Sequence, residues 1–311
     1  MARILVTGAT GFVGPEVARR LALVGHDVVA AGRRAPVDRS PIAAWIPVAT
    51  QRADTDWSAA LRGIEVVVHL AGHAHAESGS ESARQEIRSV NVEGSAALAR
   101  QAADAGVRRF IFMSSIKVYG EESGAEAFTA DDPVNPQDPY AESKAEAELR
   151  IAEIGRASGM QHVTIRPPLL LGTGSKANLS RLIQLVRSGV PLPFASVRNA
   201  RSLLSLSNLA DLVAIAVTHS RAAEAPLLAA DAGAPSTPEL IQWIAAGLRR
   251  RVRMVRCPPS LLETVARPLG LGALIRKLTR SLALDTTLTT RLTGWEPRST
   301  TQETLLRVVN E

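Results

Sequence analysis

A chain of 311 residues with 46% apolar side chains is long enough for one large or two closely joined domains around a sizeable core, which excludes a chain dominated by disorder. Its net charge of +6, with an isoelectric point near 10.2 carried almost wholly by arginine, reads as scattered along the chain. With 4% aromatic residues and no aromatic interleaving, that charge argues against nucleic-acid binding. A single cysteine, Cys257, no room for a signal segment before the first apolar run, and apolar stretches well short of the roughly 18 residues a bilayer span needs suit a reducing cytoplasm without stable membrane insertion.

The first apolar run, Ile4-Leu5-Val6, leads directly into Thr7-Gly8-Ala9-Thr10-Gly11-Phe12-Val13-Gly14. Three glycines spaced by three where a strand becomes a helix form a dinucleotide-binding turn. The first permits a tight turn, the second lets a pyrophosphate approach bare backbone, and the third lets the helix pack on the strand. The free N–H groups of the helix start then face the phosphates. A glycine-rich turn alone also serves as a mere connector, so the context matters. Pro15 fits a first helical turn, Val17, Ala18, Leu21 and Ala22 continue an apolar stripe, and a second strand follows at residues 27–31, completing a β-α-β unit.

Further strand-like runs at 66–71, 110–113 and 162–166 alternate with helical stretches, of which 86–105 and 140–158 flank the fourth run. Such alternation predicts an α/β fold, a doubly wound parallel sheet with helices on both faces. Residues 1–165 read as the nucleotide-binding domain. After Arg166-Pro167-Pro168 the pattern breaks at Gly172, Gly174, Gly189, Pro191 and Pro193, so a smaller substrate lobe is placed at 166–200 and 223–311. A return segment at about 201–222 brings a run at 201–205 back to the main sheet, followed by a helix over 208–218. The stretch 261–280, leucine-rich with Arg267, Arg276, Lys277 and Arg280, reads as a helix of the second lobe rather than as a membrane-surface helix.

Tyr140-Ala141-Glu142-Ser143-Lys144 sets a phenol and an ammonium on one helical face, one turn apart. A nearby positive charge lowers a phenol's pKa from about 10, which is what proton exchange near neutrality requires. A solvated i,i+4 pair has the same spacing, but the chain holds only four lysines, Lys117, Lys144, Lys176 and Lys277. Ser114-Ser115 ends the fourth apolar run, where an open parallel sheet presents its ligands, although a serine pair there more often serves as a cap or turn.

These segments, with His69-Leu70-Ala71-Gly72, Asn91, Ser114-Ser115-Ile116-Lys117-Val118-Tyr119-Gly120 and Arg166-Pro167-Pro168 in this order, resemble the extended short-chain dehydrogenase/reductases over essentially the whole chain. Within that superfamily the sequence is similar to UDP-hexose 4-epimerases and, more closely, to the 4-keto-reductases of UDP-N-acetylquinovosamine-type sugars. The Ser-Ser-Ile-Lys-Val stretch and Lys176-Ala177-Asn178-Leu179 carry the closer likeness. The resemblance implies an NAD(P) cofactor, a UDP-sugar substrate, a homodimer paired through the two long helices, and a catalytic set of Ser115, Tyr140 and Lys144, with Tyr140 and Lys144 also lying on the cofactor. It further implies cofactor contacts at Gly8, Thr10, Gly11, Phe12, Val13, Gly14, Asp54, Leu70, Ala71, Gly72, Asn91 and Pro167. Asn178 and Arg201 are implied to grip the substrate diphosphate, where an arginine fork suits phosphate oxygens.

Two departures from the pattern have consequences. Where NAD-preferring enzymes carry an acid after the second strand, this chain reads Gly32-Arg33-Arg34, so NADP(H) is expected to be at least accepted, with Arg33 or Arg34 on the 2′-phosphate. The other reading is two solvated arginines. Leu169 stands where epimerases of this type often carry an asparagine, and Lys117, two residues after Ser115, is expected to reach the same cleft and contact the substrate, unless it lies over the rim with its head in water. His73 and His75 lack a third ligand and hydride transfer needs no metal, so no metal site is expected. The expected activity is reduction at C4 of a UDP-4-keto-6-deoxy sugar. A 4-epimerase using the same residues is the main alternative, and a non-catalytic NAD(P)-binding regulator, which has no need of an activated phenol, is the third.

Overall fold

The computed structural model describes residues 1–35, 42–73, 80–174, 178–268 and 270–310, with the Asn178 side chain outside that description. Its strands are β1 (Arg3–Thr7), β2 (Asp27–Gly32), β3 (Ala44–Pro47), β4 (Val66–His69), β5 (Arg109–Met113), β6 (Gln161–Arg166), β7 (Leu169–Leu171), β8 (Leu203–Ser205) and β9 (Leu227–Leu228). The helices of the first half are α1 (Gly14–Leu23), α2 (Ser58–Leu61), α3 (Glu81–Arg88), α4 (Ser95–Asp104) and α5 (Pro139–Ser158). Those of the second half are α6 (Asn178–Arg187), α7 (Leu206–Thr218), α8 (Thr237–Gly247), α9 (Pro259–Ala266), α10 (Gly272–Thr279), α11 (Thr287–Thr293) and α12 (Thr301–Asn310).

Seven parallel strands form the main sheet in the order β3-β2-β1-β4-β5-β6-β9. The strands read as unbroken apolar runs because both faces are covered. Ile4, Val6, Val28, Ala30, Val66, Val68 and Ile111 point toward α1 and α7, whereas Leu5, Val29, Val67, Phe110 and Phe112 point toward α4 and α5. The strand order reverses between β1 and β4, and in sheets of this kind ligands bind in the crevice outside the carboxyl ends of the strands at that reversal.

The expectation that residues 201–205 rejoin this sheet is corrected by the pairing. β8 pairs with β7 in a separate two-stranded sheet, and β9 supplies the seventh strand of the main one. Pro167 and Pro168 have no N–H to donate, so the chain leaves the main sheet after β6 and finds β8 as its next partner. The helix after it does return, since α7 packs along α1 over the main sheet. A second hydrophobic cluster forms where α6, α8 and α12 meet, around Leu182, Ile241, Ile244 and Leu305. The stretch 261–280 forms two short helices, α9 and α10, rather than one, because Pro268 and Gly270 fall between them.

Candidate active site

The glycine turn follows β1 and fits its expected geometry. Gly8 has φ +70°, and a Cβ there would lie 2.7 Å from the Ala71 backbone nitrogen, so β1 and the end of β4 approach more closely than any side chain permits. A Cβ on Gly14 would lie 2.3 Å from the Gly8 carbonyl oxygen, which holds the start of α1 against the turn. The Gly11 amide donates to the Gly8 carbonyl at 2.9 Å, and Thr10, Gly11 and Phe12 are exposed along the outer side of the turn. Val13 is the N-cap of α1 and provides no side-chain hydrogen bond, so the first amides of the helix remain open to an anionic ligand. A cradle from which Cβ atoms are excluded and whose amides are uncapped fits a dinucleotide pyrophosphate.

Leu70, Ala71 and Gly72 continue from β4 beside this turn. A Cβ on Gly72 would lie 3.3 Å from both Asn91 Oδ1 and Lys144 Nζ, so the segment, the asparagine and the lysine converge. Asn91 is fully buried in a π-helical turn, Ser89–Gly94, which joins α3 to α4 in place of the single helix the sequence suggests. Its Oδ1 accepts from the His73 amide at 2.7 Å, and its Nδ2 donates to the His73 carbonyl and the Ser143 hydroxyl, both at 3.0 Å. Ser143 in turn donates to the Tyr140 carbonyl at 2.7 Å, so Asn91 ties the post-β4 loop to the first turn of α5. The Tyr-x-x-Ser-Lys spacing contained this link, although the sequence reading drew nothing from Ser143.

Ser115, Tyr140 and Lys144 come together at the ends of β5 and α5. Ser115 follows β5 and caps a short 3₁₀ turn, Ile116–Val118. Asp138 caps α5, accepting from the Ala141 amide at 2.8 Å, and Pro139 fills the first turn, so the helix start and its tyrosine are fixed. The Ser115 hydroxyl lies near enough to the Tyr140 phenol to act on its proton. Lys144 Nζ donates to the Met113 carbonyl at 2.8 Å, lies 4.6 Å above the Phe112 ring, and stands 5.9 Å from the Tyr140 ring centroid. Burial pushes the Tyr140 phenol up to about 12, helped by the Asp138 charge and opposed by the Ser115 hydroxyl. Burial pushes the Lys144 ammonium down to about 8, opposed by the Glu148 carboxylate.

Lys117 is taken up by carboxylates. Its Nζ pairs with Asp138, and with Glu121 at 2.6 Å. Glu121 also acts electrostatically on Arg201, a half-buried residue whose Nη1 donates to the Arg280 carbonyl at 3.2 Å. The structure thus gathers Lys117, Glu121, Asp138 and Arg201 around one side of the catalytic set. Pro167 is buried beside it and accepts from the Ile116 amide at 3.0 Å. Asn178 opens α6, while Lys176, Ala177 and His75 lie outside the described residues. Among the described residues no cluster of three or more histidine, cysteine or carboxylate side chains forms a metal site.

Arg33 and Arg34 stand in an exposed bend directly after β2, and among the described residues neither forms an ion pair. Asp54 is exposed in the loop between β3 and α2. That loop is held against the π-helical turn, since a Cβ on Gly94 would lie 2.5 Å from the Gln51 carbonyl oxygen.

Three buried groups around the site were not foreseen. His69 lies on the core side of β4, hydrogen-bonded to Thr7 Oγ1 at 2.7 Å and to Ser95 Oγ at 2.9 Å, and burial together with the Lys144 charge pushes it down to about 3, so it is a neutral packing group. Arg166 pairs with Glu148 on α5 and with the Tyr119 hydroxyl, and so locks α5 to the strand end beside it. Isolated charged residues inside apolar runs are the signal that points to such a pair.

Comparison with known proteins agrees with this geometry. The family model for the NAD dependent epimerase/dehydratase family matches residues 4–227. A UDP-glucose 4-epimerase of Vibrio cholerae is 37% identical over 96% of this chain and 92% of its own length. Among solved structures, the Bordetella bronchiseptica enzyme WbmG in complex with NAD superposes with a TM-score of 0.75 at 19% identity, covering 98% of this chain and 91% of its own. The Thermotoga maritima UDP-glucose 4-epimerase with UDP-glucose does so with a TM-score of 0.76 at 18% identity, covering 99% and 97%. At these identities the two structures speak for the fold, and the family match rests on the sequence. With the dinucleotide turn at β1 and the Ser, Tyr and Lys side chains gathered at the strand ends, the chain belongs to the NAD dependent epimerase/dehydratase family.

Proposed function

We propose that the chain is an NAD(P)-dependent oxidoreductase acting at C4 of a UDP-linked hexose, and that it reduces a UDP-4-keto-6-deoxy-N-acetylhexosamine to make a precursor of surface polysaccharide. The observation that carries this reading is the convergence of Ser115, Tyr140 and Lys144 beside the glycine turn. When bound, the reduced nicotinamide supplies hydride to C4. Tyr140 delivers the proton from its phenol oxygen to the sugar oxygen, Ser115 holds that oxygen in place, and the Lys144 ammonium steadies the phenolate left behind. A phenol held near 12 keeps its proton at neutral pH but yields it less readily than a free one, the reverse of the lowering expected from Lys144, so charge that arrives with the ligands has to bring it down.

The cofactor lies along Gly8, Thr10, Gly11, Phe12, Val13 and Gly14, then Leu70, Ala71 and Gly72, with Asp54 toward the base, and Arg33 or Arg34 is available to a 2′-phosphate. Residues 166–200 and 223–311 act as the substrate lobe, and Asn178 and Arg201 serve the diphosphate. By analogy with the family the protein pairs as a cytoplasmic dimer through α4 and α5, where Leu149 is an exposed apolar residue on α5.

A second reading, a UDP-hexose 4-epimerase, is favoured by the name of the Vibrio cholerae relative. It is opposed by Leu169, which stands where epimerases of this type often carry an asparagine. The deciding experiment follows nicotinamide absorbance with NADPH or NADH and UDP-4-keto-6-deoxy-N-acetylglucosamine, with UDP-N-acetylglucosamine as comparison. Stoichiometric loss of reduced cofactor with the keto sugar alone establishes the reductase. Conversion of UDP-N-acetylglucosamine to its C4 epimer without such loss establishes the epimerase. Tyr140→Phe lowers kcat by about two to four orders of magnitude with the fold intact, and near-normal turnover refutes the role assigned to it. Equal loss of NADPH and NADH affinity in an Arg33→Ala, Arg34→Ala variant refutes the 2′-phosphate contact.

A further inference from the structure

The positive charge is not scattered. Of the 36 basic side chains nine, and of the 30 acidic ones one, lie in residues 249–280, leaving 27 basic against 29 acidic elsewhere. The whole net charge of the protein therefore resides in about a tenth of its length. Five of these arginines fall in residues 249–256, and Arg267, Arg276, Lys277 and Arg280 follow on and between α9 and α10.

The structure puts this charge on one outward surface. Residues 249–256 run beside the 190s, where the Leu192 amide donates to the Arg253 carbonyl at 2.8 Å and the Leu192 carbonyl accepts from the Val255 amide at 2.9 Å, and they turn Val252 and Met254 toward the cluster around Leu182. The helices α9 and α10 turn Leu262, Ile275 and Leu278 toward that same cluster. The opposite faces are left to solvent. There Val255 is 43%, Leu261 52%, Val265 57% and Leu271 47% exposed, between arginines that are exposed as well. Among the described residues Arg249, Arg251, Arg253, Arg256, Arg267 and Arg276 form no ion pair. Arg267 and Arg276 line a surface concavity of about 350 Å³ with Gly270, Gly272, Ala273 and Glu263, whose carboxylate is paired with Arg280.

Unpaired guanidinium groups this dense repel one another and add nothing to folding, so a folding account leaves them unexplained. Exposed aliphatic side chains set among unpaired arginines on an amphipathic helical pair match an anionic bilayer surface, in which the aliphatics enter the headgroup boundary and the arginines meet lipid phosphates. Helices of eight residues each are far too short to span a membrane, and among the described residues no helix is long and apolar enough to do so. Packing a lobe core with the inner face and meeting a membrane with the outer one are compatible roles for the same two helices.

We propose that residues 249–280 form a docking surface by which the protein rests peripherally on an anionic phospholipid membrane. The proposal is independent of the reaction at C4. It is tested by co-sedimentation of the full-length protein with vesicles of phosphatidylcholine alone and of phosphatidylcholine with about a quarter phosphatidylglycerol. The expected result is partition onto the anionic vesicles alone, weakened at high salt. An Arg267→Ala, Arg276→Ala variant is expected to partition about twenty-five-fold less, roughly fivefold per charge removed. Val265→Asp is expected to lose binding that low salt does not restore. Both variants keep the native turnover and unfolding midpoint, because Val265, Arg267 and Arg276 are exposed side chains and none touches the catalytic set. Absence of binding to anionic vesicles at low salt overturns the proposal, as does equal binding to neutral vesicles. Binding of a DNA duplex at the same salt as tightly as the anionic vesicles also overturns it, since the patch then belongs to nucleic acid.

Discussion

Gly8 and Gly25 bracket α1, and both occupy left-handed backbone, at φ +70° and +89°. Replacing either by alanine brings the steric penalty of an L-residue in that region, about 1–2 kcal/mol. The two differ in what the new Cβ meets. At Gly25 nothing lies within 4 Å, whereas at Gly8 the Ala71 nitrogen lies 2.7 Å away and the Ala71 Cα 2.9 Å away. Those are backbone atoms of the segment that continues β4, and they cannot swing aside as a side-chain tip does. Gly8→Ala therefore carries a further overpacking cost of about 1–3 kcal/mol. Urea unfolding of both variants without ligand measures the difference.

The same pair tests the cofactor site. A ligand present at about a hundred times its Kd stabilises the native state by about 2.7 kcal/mol. NAD(P)H at one fixed concentration is expected to stabilise the Gly25→Ala protein like the native one and the Gly8→Ala protein hardly at all, because the turn that admits the pyrophosphate has been pushed apart. Two variants whose stabilities agree within about 0.5 kcal/mol, or a Gly8→Ala protein that keeps the full ligand stabilisation, refute the close approach of β1 and β4 as the basis of the site.

Three further outcomes follow from buried charge. Lys144 sits near 8 when folded against 10.5 in the open chain, so between these values the unfolded state binds more protons and stability rises with pH; the rise from pH 8 to 10 is on the order of 2 kcal/mol and is absent in Lys144→Met, while above pH 10 the Tyr140 phenol, held near 12, reverses the trend. Urea unfolding of the two proteins at several pH values checks this, and parallel curves contradict it. Lys117→Ala leaves Asp138 uncompensated beside Tyr140, so the basic limb of the kcat profile moves to higher pH while KM stays within about twofold; a raised KM with an unmoved limb assigns Lys117 to the substrate instead. Arg166→Met strands Glu148, whose side chain is 10% exposed, and lowers unfolding stability by about 3–5 kcal/mol, with partial recovery when Glu148→Gln is added; a loss under about 1 kcal/mol shows that the pair does not hold α5 to β6.

The parallel sheet was legible because its strands are buried on both faces, which leaves unbroken runs such as Val66-Val67-Val68 that no surface strand shows. β3 escaped notice for the opposite reason. Ala44, Trp45 and Ile46 are only half-buried at the sheet edge, and the run ends in Pro47. The separate sheet's strands β7 and β8 are three residues long, too short for periodicity, so Leu203-Leu204-Ser205 was matched to the wrong sheet. Asp231 was invisible as well. It accepts from the Ser205 amide and from Asn208 Nδ2, joining β8, α7 and the chain near α12, yet in sequence it is a lone carboxylate among alanines.

The convergence of Ser115, Tyr140 and Lys144 was readable for a different reason than the sheet. Tyr140 and Lys144 lie on one helix at a fixed spacing, so local geometry determines their relation, whereas Ser115 meets them because α5 packs beside the end of β5. Their electrostatics is not local. The phenol is held high and the ammonium low by burial under the packed fold, and the Asp138 charge that raises the phenol further is itself paired with Lys117 from the turn after β5. With the phenol near 12, the protein alone holds Tyr140 as a proton donor, which is the protonation state a reductase begins from. An epimerase must begin by taking a proton from the C4 hydroxyl, and for that the phenol has to be brought down toward neutrality by charge that arrives with its ligands. The rate of proton transfer in either direction thus depends on how far ligand binding lowers this phenol, and Asp138, paired with Lys117, is the charge that the chain itself sets beside it.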